Sequence, residues 1–170
     1  YRIKELLVYH EKDSTYSTYV SNSKSRKFIF ISSYSTLTSE HRYLNSSKPL
    51  NKFNLIQSRI NGLEYDVKHY KNNFYILTNH ENSFNYKVVK TSIKNPGIEN
   101  WKNFIDHQEN VLIEDIDVFD NFYIISERRN GLNKLLAKSW NNSFHDYYIP
   151  MKGETYSSYV GYNPQFNSNK

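Results

Sequence analysis

Short apolar runs recur along the chain at nearly equal intervals. Each run mixes aromatic and β-branched residues and ends in a hydroxyl residue, and the three runs occupy residues 27–32, 73–78 and 121–126. Their starts are about 46 and about 48 residues apart, a spacing found in repeat proteins. Runs of this length without alternation are typical of strands covered on both faces, because a buried helix needs a longer apolar stretch. The pattern predicts three buried strands, one in each of three repeats.

Each buried run has the same neighbours, which predicts a unit of four strands. An alternating segment precedes the run, and two further strand candidates follow it. The first strand of a fourth unit is predicted at 156–162. The strands of the three complete units are predicted at 16–20, 28–31, 40–45 and 53–57, at 65–70, 74–78, 86–90 and 103–106, and at 113–119, 122–127, 132–138 and 144–149. The units span approximately 14–59, 63–108, 111–150 and an incomplete 155–170.

Turn residues support the strand interpretation. Asn130-Gly131 joins two apolar runs, and this pair favours the two positive φ angles of a type I′ hairpin turn. Asn61-Gly62 lies between two units, so we expect it to connect an outer strand to the next inner strand. Helical periodicity is poor, apart from one turn predicted near residues 99–103.

Groups of four strands at a period of about 45 residues predict an all-β protein of the β-propeller class. A β-sandwich is the alternative, but it shows no repeat of this length. Three units are fewer than the roughly 4 to 8 blades that close a ring. We therefore expect a partial β-propeller with about three four-stranded antiparallel blades and the start of a fourth.

Composition fits a packed domain that binds neither membranes nor nucleic acids. Aromatic residues make up 16% of the 170 residues, which is more than a disordered chain carries. The longest apolar run, residues 28–31, is too short to cross a bilayer, and we expect no signal peptide. The net charge of +5 comes from residues spread singly, with the densest cluster at 24–27. We interpret these charges as solvated surface, because a nucleic-acid site needs a basic stripe.

The chain lacks the motifs of a catalytic or metal site. It has no cysteine, and none of its glycines stands in the Gly-x-Ser-x-Gly string of a nucleophile elbow. The His-Glu-x-Asp string at 10–13 is a poor metal site, because adjacent side chains of a strand point to opposite faces. The Glu-Asp-x-Asp string at 114–117 lacks the glycine and glutamate of a calcium loop. We interpret it as an inner strand with carboxylates toward a wet central channel. We therefore predict no catalytic, cofactor or metal residues.

Five strings of residues occur in a fixed order along the chain. They are LVYHEKD at 7–13, STLTSEHRYL at 35–44, GLEY at 62–65, ERRNGL at 127–132 and YVGYNP at 159–164. Together they resemble the N-terminal propeller domain of the oligopeptidase B (protease II) group, within the prolyl oligopeptidase family of serine peptidases. The resemblance extends from about Leu6 to Asn163, which is nearly the whole chain.

This resemblance implies a seven-bladed propeller over an α/β-hydrolase domain that carries the catalytic serine, aspartate and histidine. It also implies cleavage of short peptides after basic residues, with the propeller restricting access to the active site. The chain is then a non-catalytic middle section whose partners are the hydrolase domain and short peptides, and no cofactor is implied. Glu11, Glu127 and Arg128 lie within the strings and are candidates for ion pairs with the hydrolase domain. A local salt bridge is the alternative for each.

Two functional hypotheses follow from the sequence. One is the gating section of an oligopeptidase B-like peptidase, and the other is a free-standing propeller that binds a protein or glycan partner. Downstream coding sequence with Gly-x-Ser-x-Gly and a later histidine would establish the first. A middle section leaves two apolar blade faces without neighbours, so we expect the fragment to self-associate, and two copies could close one pseudo-ring. The compartment of the parent, bacterial cytoplasm or periplasm, is left open.

Overall fold

Twelve β-strands form three antiparallel sheets in the computed structural model, which describes residues 5–153 and 156–168. Each sheet has four strands in chain order, so every strand pairs with its neighbours in sequence. Sheet 1 contains β1 Ser17–Asn22, β2 Phe28–Tyr34, β3 Ser39–Asn45 and β4 Asn54–Gln57. Sheet 2 contains β5 Tyr65–Tyr70, β6 Asn73–Thr78, β7 Lys87–Ser92 and β8 Lys102–Ile105. Sheet 3 contains β9 Val111–Val118, β10 Phe122–Arg129, β11 Leu132–Ser139 and β12 Tyr147–Tyr148.

The sheets confirm the predicted partial propeller. The buried runs form β2, β6 and β10, the second strand of each sheet. Within residues 5–153 and 156–168, the one helical segment is a 3₁₀ turn at Ile98–Asn100, close to the turn expected at 99–103. No helix in these ranges has the length and apolar character needed to cross a membrane.

Both glycine turns have the predicted roles. Asn130 and Gly131 have φ angles of 51° and 79°, and the flanking residues Arg129 and Leu132 pair across β10 and β11. Two consecutive positive φ angles define the type I′ turn that suits a twisted hairpin. Gly62, with φ 81°, lies between β4 and β5 and leads the chain from one sheet to the next.

Neighbouring sheets pack face to face through two apolar clusters. Edge-to-face aromatic contacts are frequent in the first cluster, where the Phe28 and Phe74 ring centroids lie 5.4 Å apart. The first cluster joins sheets 1 and 2 through Phe28, Phe30, Ile56, Leu63, Tyr65, Val67, Phe74, Ile76 and Val89. The second joins sheets 2 and 3 through Tyr70, Tyr75, Leu77, Val88, Ile113, Ile116, Val118, Tyr123 and Ile125. The core is therefore a row of interfaces between blades, as expected for a propeller.

The first strands of the three sheets converge on one edge. Lys68 on β5 contacts Asp115 on β9, with Nζ 3.2 Å from Oδ1. Lys24, in the turn after β1, forms an ion pair with Asp117 on β9. These contacts place β1, β5 and β9 side by side, at the edge that surrounds the central channel of a propeller. We call the surface formed by these three strands the inner wall.

Two expected strands differ from the structure. The last strand of sheet 3 is limited to Tyr147–Tyr148, whereas 144–149 was expected. The strand predicted at 156–162 does not form, and residues 155, 169 and 170 of that expected unit lie outside the described residues. A strand needs a hydrogen-bonded neighbour, and β9 to β12 already form a complete sheet. The segment instead runs back to sheet 3, where the Asp120 amide donates to the Phe166 carbonyl at 2.9 Å.

Candidate functional site

A polar cleft follows the inner wall. Its cavity volume is ≈ 540 Å³, and all three inner-wall strands contribute to it. Residues 161–164 border it as well. The inner-wall side chains that line it include Ser21, Asn22, Asp66, Lys68, His69 and Asp117. The cleft can therefore hold water or a polar chain, unlike the apolar interfaces between the sheets.

A lysine between two carboxylates occupies the centre of the inner wall. Lys68 Nζ lies 2.8 Å from Asp66 Oδ2 and 3.2 Å from Asp115 Oδ1. Partial burial disfavours the Lys68 ammonium, but the two carboxylates outweigh it and raise the pKa of Lys68. Burial opposes ionisation of Asp66, yet Lys68 holds the pKa of Asp66 below its usual value. At Asp115 burial dominates and raises the pKa of the carboxyl group.

A second ion pair crosses the cleft from sheet 1 to sheet 3. The Lys24 ammonium donates to Asp117 Oδ1. The same ammonium lies 3.8 Å from the centroid of the Phe119 ring, a cation–π arrangement. The partners are 93 positions apart in the sequence, and β5 of sheet 2 lies between their strands.

A buried histidine ties the turn after β1 to sheet 2. His69 Nε2 lies 2.7 Å from the Lys71 carbonyl oxygen, so this nitrogen carries the proton and donates. His69 Nδ1 then accepts from the Ser25 hydroxyl at 2.7 Å. Burial lowers the pKa of His69 to about 4, which keeps the imidazole neutral.

An ion-pair network containing Glu11 lies beside the beginning of sheet 1. Glu11 Oε2 accepts from Arg59 at 2.5 Å and from the Tyr9 hydroxyl at 2.7 Å. Arg59 also lies 3.8 Å from Glu40 Oε1, and its guanidinium carbon is 3.6 Å from the centroid of the Tyr16 ring. The hydrogen bond from Arg59 is the main reason why the pKa of Glu11 falls to about 2. The predicted site residue Glu11 is therefore ionised and locally paired.

The other two candidates, Glu127 and Arg128, lie next to each other at the end of β10 and have separate partners. Glu127 is buried and accepts from Arg129 Nε at 3.2 Å and the Tyr148 hydroxyl at 2.7 Å. Arg128 donates to Glu114 Oε1 from Nε at 2.9 Å and from a terminal nitrogen at 2.6 Å. Every candidate therefore has a local partner, as the salt-bridge alternative expected, and a role toward a second domain stays a prediction.

Sequence reasoning missed the residues that organise the inner wall. The basic cluster at 24–27 was interpreted as solvated surface, yet Lys24 is ion-paired and its side chain is only 17% exposed. The strict alternation of β5 was an available signal, because it places Asp66 and Lys68 on the face opposite Tyr65 and Val67. The carboxylates predicted for an inner strand at 114–117 do lie on β9.

Comparison with known proteins identifies the family. A family model described as the prolyl oligopeptidase N-terminal β-propeller domain matches residues 3–170. The chain is 29% identical over 162 residues to dipeptidyl aminopeptidase BI of Pseudoxanthomonas mexicana, covering 95% of this chain and 22% of the relative. It is 31% identical over 129 residues to protease 2 of Moraxella lacunata, covering 76% of this chain and 18% of that relative. The chain thus spans about a fifth of the length of these relatives.

Solved structures agree. Oligopeptidase B from Trypanosoma brucei, with covalently bound antipain in a closed form, has a TM-score of 0.74 and 31% identity, covering 78% of this chain and 19% of that structure. Oligopeptidase B from Leishmania major has a TM-score of 0.85 over 96% of this chain and 24% of that structure, with 21% identity, and shows the shared fold. This chain belongs to the prolyl oligopeptidase family of serine peptidases, as part of its N-terminal β-propeller domain.

Proposed function

We propose that this chain is a non-catalytic propeller section of an oligopeptidase B-like serine endopeptidase. In this role it admits short peptides to the active site of a hydrolase domain elsewhere in the parent protein and excludes folded proteins. The parent cleaves after basic residues. The proposal is supported by the family match and by the fraction of the relatives' length that the chain covers.

The observation that carries the proposal is the inner wall. The first strands of the three sheets converge on a polar cleft. The ion pair between the Lys24 and Asp117 side chains spans the distance from sheet 1 to sheet 3. A small folded domain is about 30 Å across, far wider than such a span. An extended peptide needs much less room, so a passage built from walls of this kind selects against folded substrates.

Charged groups of both signs line the cleft. Lys24, Arg26 and Lys68 lie there with Asp66 and Asp117, so the cleft has no excess of negative charge. The proposed cleavage after basic residues therefore rests on the resemblance to oligopeptidase B and not on the charge of this cleft.

Among the three interdomain candidates, Arg128 has the most exposed side chain. Its side chain is 50% exposed, whereas the side chains of Glu11 and Glu127 are 15% and 6% exposed. Glu11 also accepts hydrogen bonds from three donors and Glu127 from two. We therefore propose Arg128 as the interdomain contact and local structural roles for Glu11 and Glu127.

The test uses the full-length protein that contains this chain. Linear peptides of increasing length, each with one arginine and a blocked N-terminus, are compared with a folded protein that exposes an arginine on its surface. We expect kcat/KM to fall with length, no cleavage of the folded protein and cleavage after the arginine. Peptides with glutamate at that position are the control. Equal cleavage of folded and short substrates contradicts the gating role.

Blocked substrates also separate two peptidase activities. One relative, which matches 95% of this chain, is named a dipeptidyl aminopeptidase, an activity that needs a free substrate N-terminus. Hydrolysis of blocked peptides supports the endopeptidase proposal. Hydrolysis of unblocked peptides alone, with release of dipeptides, assigns the parent to the other activity. If a serine-directed fluorophosphonate does not label the parent, both peptidase activities are ruled out.

The isolated chain is expected to self-associate. Every residue of β1 is exposed, including the large side chains Tyr19 and Val20, and this strand is a sheet edge. Exposed apolar faces and free edges favour association. We expect dimers or larger species in sedimentation velocity at micromolar concentration. Val20→Glu should shift them toward monomer, whereas Leu50→Glu in an exposed loop should not. A monodisperse monomer of the unmodified chain contradicts this prediction.

A further inference from the structure

The ion pair between Lys24 and Asp117 joins sheet 1 to sheet 3 across the cleft. Lys24 belongs to the turn after β1 and Asp117 to the last part of β9. Both line the cleft, together with residues 66–69 of the intervening strand β5. The pair therefore links sheets 1 and 3 at this end of the inner wall, in the cleft that β5 also lines.

The surroundings of the pair hold both charges in place. The side chains of Lys24 and Asp117 are 17% and 21% exposed, so neither is freely solvated. The Phe119 ring, which is buried, lies under the ammonium group at 3.8 Å. A charge-assisted hydrogen bond in a partly desolvated site is stronger than a surface ion pair, and an aromatic face beneath the cation adds to it.

The turn that carries Lys24 is itself fixed. The Ser23 hydroxyl accepts from the Phe28 amide at 3.0 Å, which closes the turn. Arg26 has φ 57°, a conformation that the tight turn imposes. The hydrogen bond between Ser25 and His69 then attaches the turn to β5. Lys24 therefore projects from a rigid base toward Asp117.

We propose that Lys24 and Asp117 form a clasp that limits the width of the passage along the inner wall. This inference rests on the proposed gating function and names residues that set its selectivity. The clasp excludes substrates that present two chain segments side by side, such as a closed peptide loop, and it admits a single extended segment. Lys27 of the same turn is exposed, which makes it a matched position outside the clasp.

The test compares a linear peptide with the same sequence closed into a loop by a disulfide, both containing one cleavable arginine. The full-length protein is used, and the selectivity is the ratio of kcat/KM for the linear peptide to kcat/KM for the loop. We expect Lys24→Ala and Asp117→Asn to lower this ratio by about fivefold or more, through a faster reaction of the loop. The rate with the linear peptide should be unchanged. Lys27→Ala, which removes the same charge, should leave the ratio as in the unmodified protein.

A charge exchange separates the clasp from a general loosening of the fold. The double variant Lys24→Asp with Asp117→Lys restores opposite charges, and we expect it to recover much of the lost selectivity. Equal ratios for the unmodified protein and for both single variants overturn the clasp and leave the gating function intact. If the unmodified protein cleaves the loop, the linear peptide and a folded protein equally well, the proposed function itself fails. Asp117→Asn keeps the size of the side chain, so it remains informative where Lys24→Ala reduces stability.

Discussion

Replacement of Phe74 by alanine is expected to lower the free energy of unfolding by about 3–5 kcal/mol. Phe74 on β6 is 0% exposed and lies in the interface between sheets 1 and 2. Its ring centroid is 5.0 Å from that of Tyr43 and 5.4 Å from that of Phe28, both in edge-to-face geometry. The substitution removes these contacts and leaves a cavity that β-strands held by two neighbours cannot close.

Phe84 offers the matched control. It is the same residue type but is 81% exposed, so Phe84→Ala removes the same atoms without opening a cavity. Its effect should stay within about 0.5 kcal/mol. Urea-induced unfolding followed by circular dichroism measures the change in unfolding free energy for both variants. Equal losses in the two variants would show that the interface between sheets 1 and 2 does not carry the stability assigned to it.

The strands were predictable because their signal is local. The buried runs at 28–31, 74–78 and 122–127 differ from their surroundings in hydrophobicity, and Asn130-Gly131 marks its own turn. The bounds of weakly apolar strands at sheet edges were predicted less accurately, because these strands pair on one side only. The final strand of sheet 3, for example, is two residues long. The strand expected at 156–162 could not be judged from its own sequence, since a strand forms only with a partner.

The inner wall depends on information that a local pattern does not hold. The Lys24 and Asp117 partners are 93 positions apart, and the Arg59 and Glu11 partners are 48 positions apart. Such pairs are set by the way in which whole sheets stack. A further example is Arg128, whose pairing with Glu114 follows a shift of register between Ser126 and Glu127. A β-bulge of this kind re-aims side chains at a strand end, and it leaves no clear sequence mark.

Both faces of one strand explain how stability and the proposed function coexist. On β5, Tyr65 and Val67 belong to the apolar cluster with sheet 1, whereas Asp66 and Lys68 line the polar cleft. The period of two residues separates most of the two roles, although Val67 also borders the cleft. Substitutions in the cleft are therefore expected to alter selectivity more than folding, and substitutions in the clusters to do the reverse.

Acidification from pH 6.5 toward 4 is expected to remove about 3 kcal/mol of stability through His69 alone. Burial lowers the pKa of His69 from 6.5 to about 4. The unfolded chain therefore binds a proton in this range while the folded chain does not, so stability is complete above pH 6.5 and falls as the pH decreases. Burial also lowers the pKa of His41, which adds a loss of the same sign.

The two histidines share one arrangement of hydrogen bonds, and burial lowers the pKa of both. In His41 as in His69, Nε2 donates to a backbone carbonyl and Nδ1 accepts from a serine hydroxyl, here Tyr65 at 2.7 Å and Ser32 at 2.9 Å. A proton on Nδ1 would make this nitrogen the donor to the serine oxygen and would place a positive charge in a buried site, which burial opposes.

Urea unfolding between pH 7.5 and 4.5 measures this dependence and separates it from that of Glu11. The pKa of Glu11 is about 2, so its contribution is lost only below its ordinary value of 4.5. His69→Gln should flatten the slope of unfolding free energy against pH, because the group whose pKa differs between the two states is gone. His10→Gln, at an exposed position, should leave the slope unchanged. An unaltered slope in His69→Gln contradicts the assignment, because the acid sensitivity must then arise from groups other than this turn anchor.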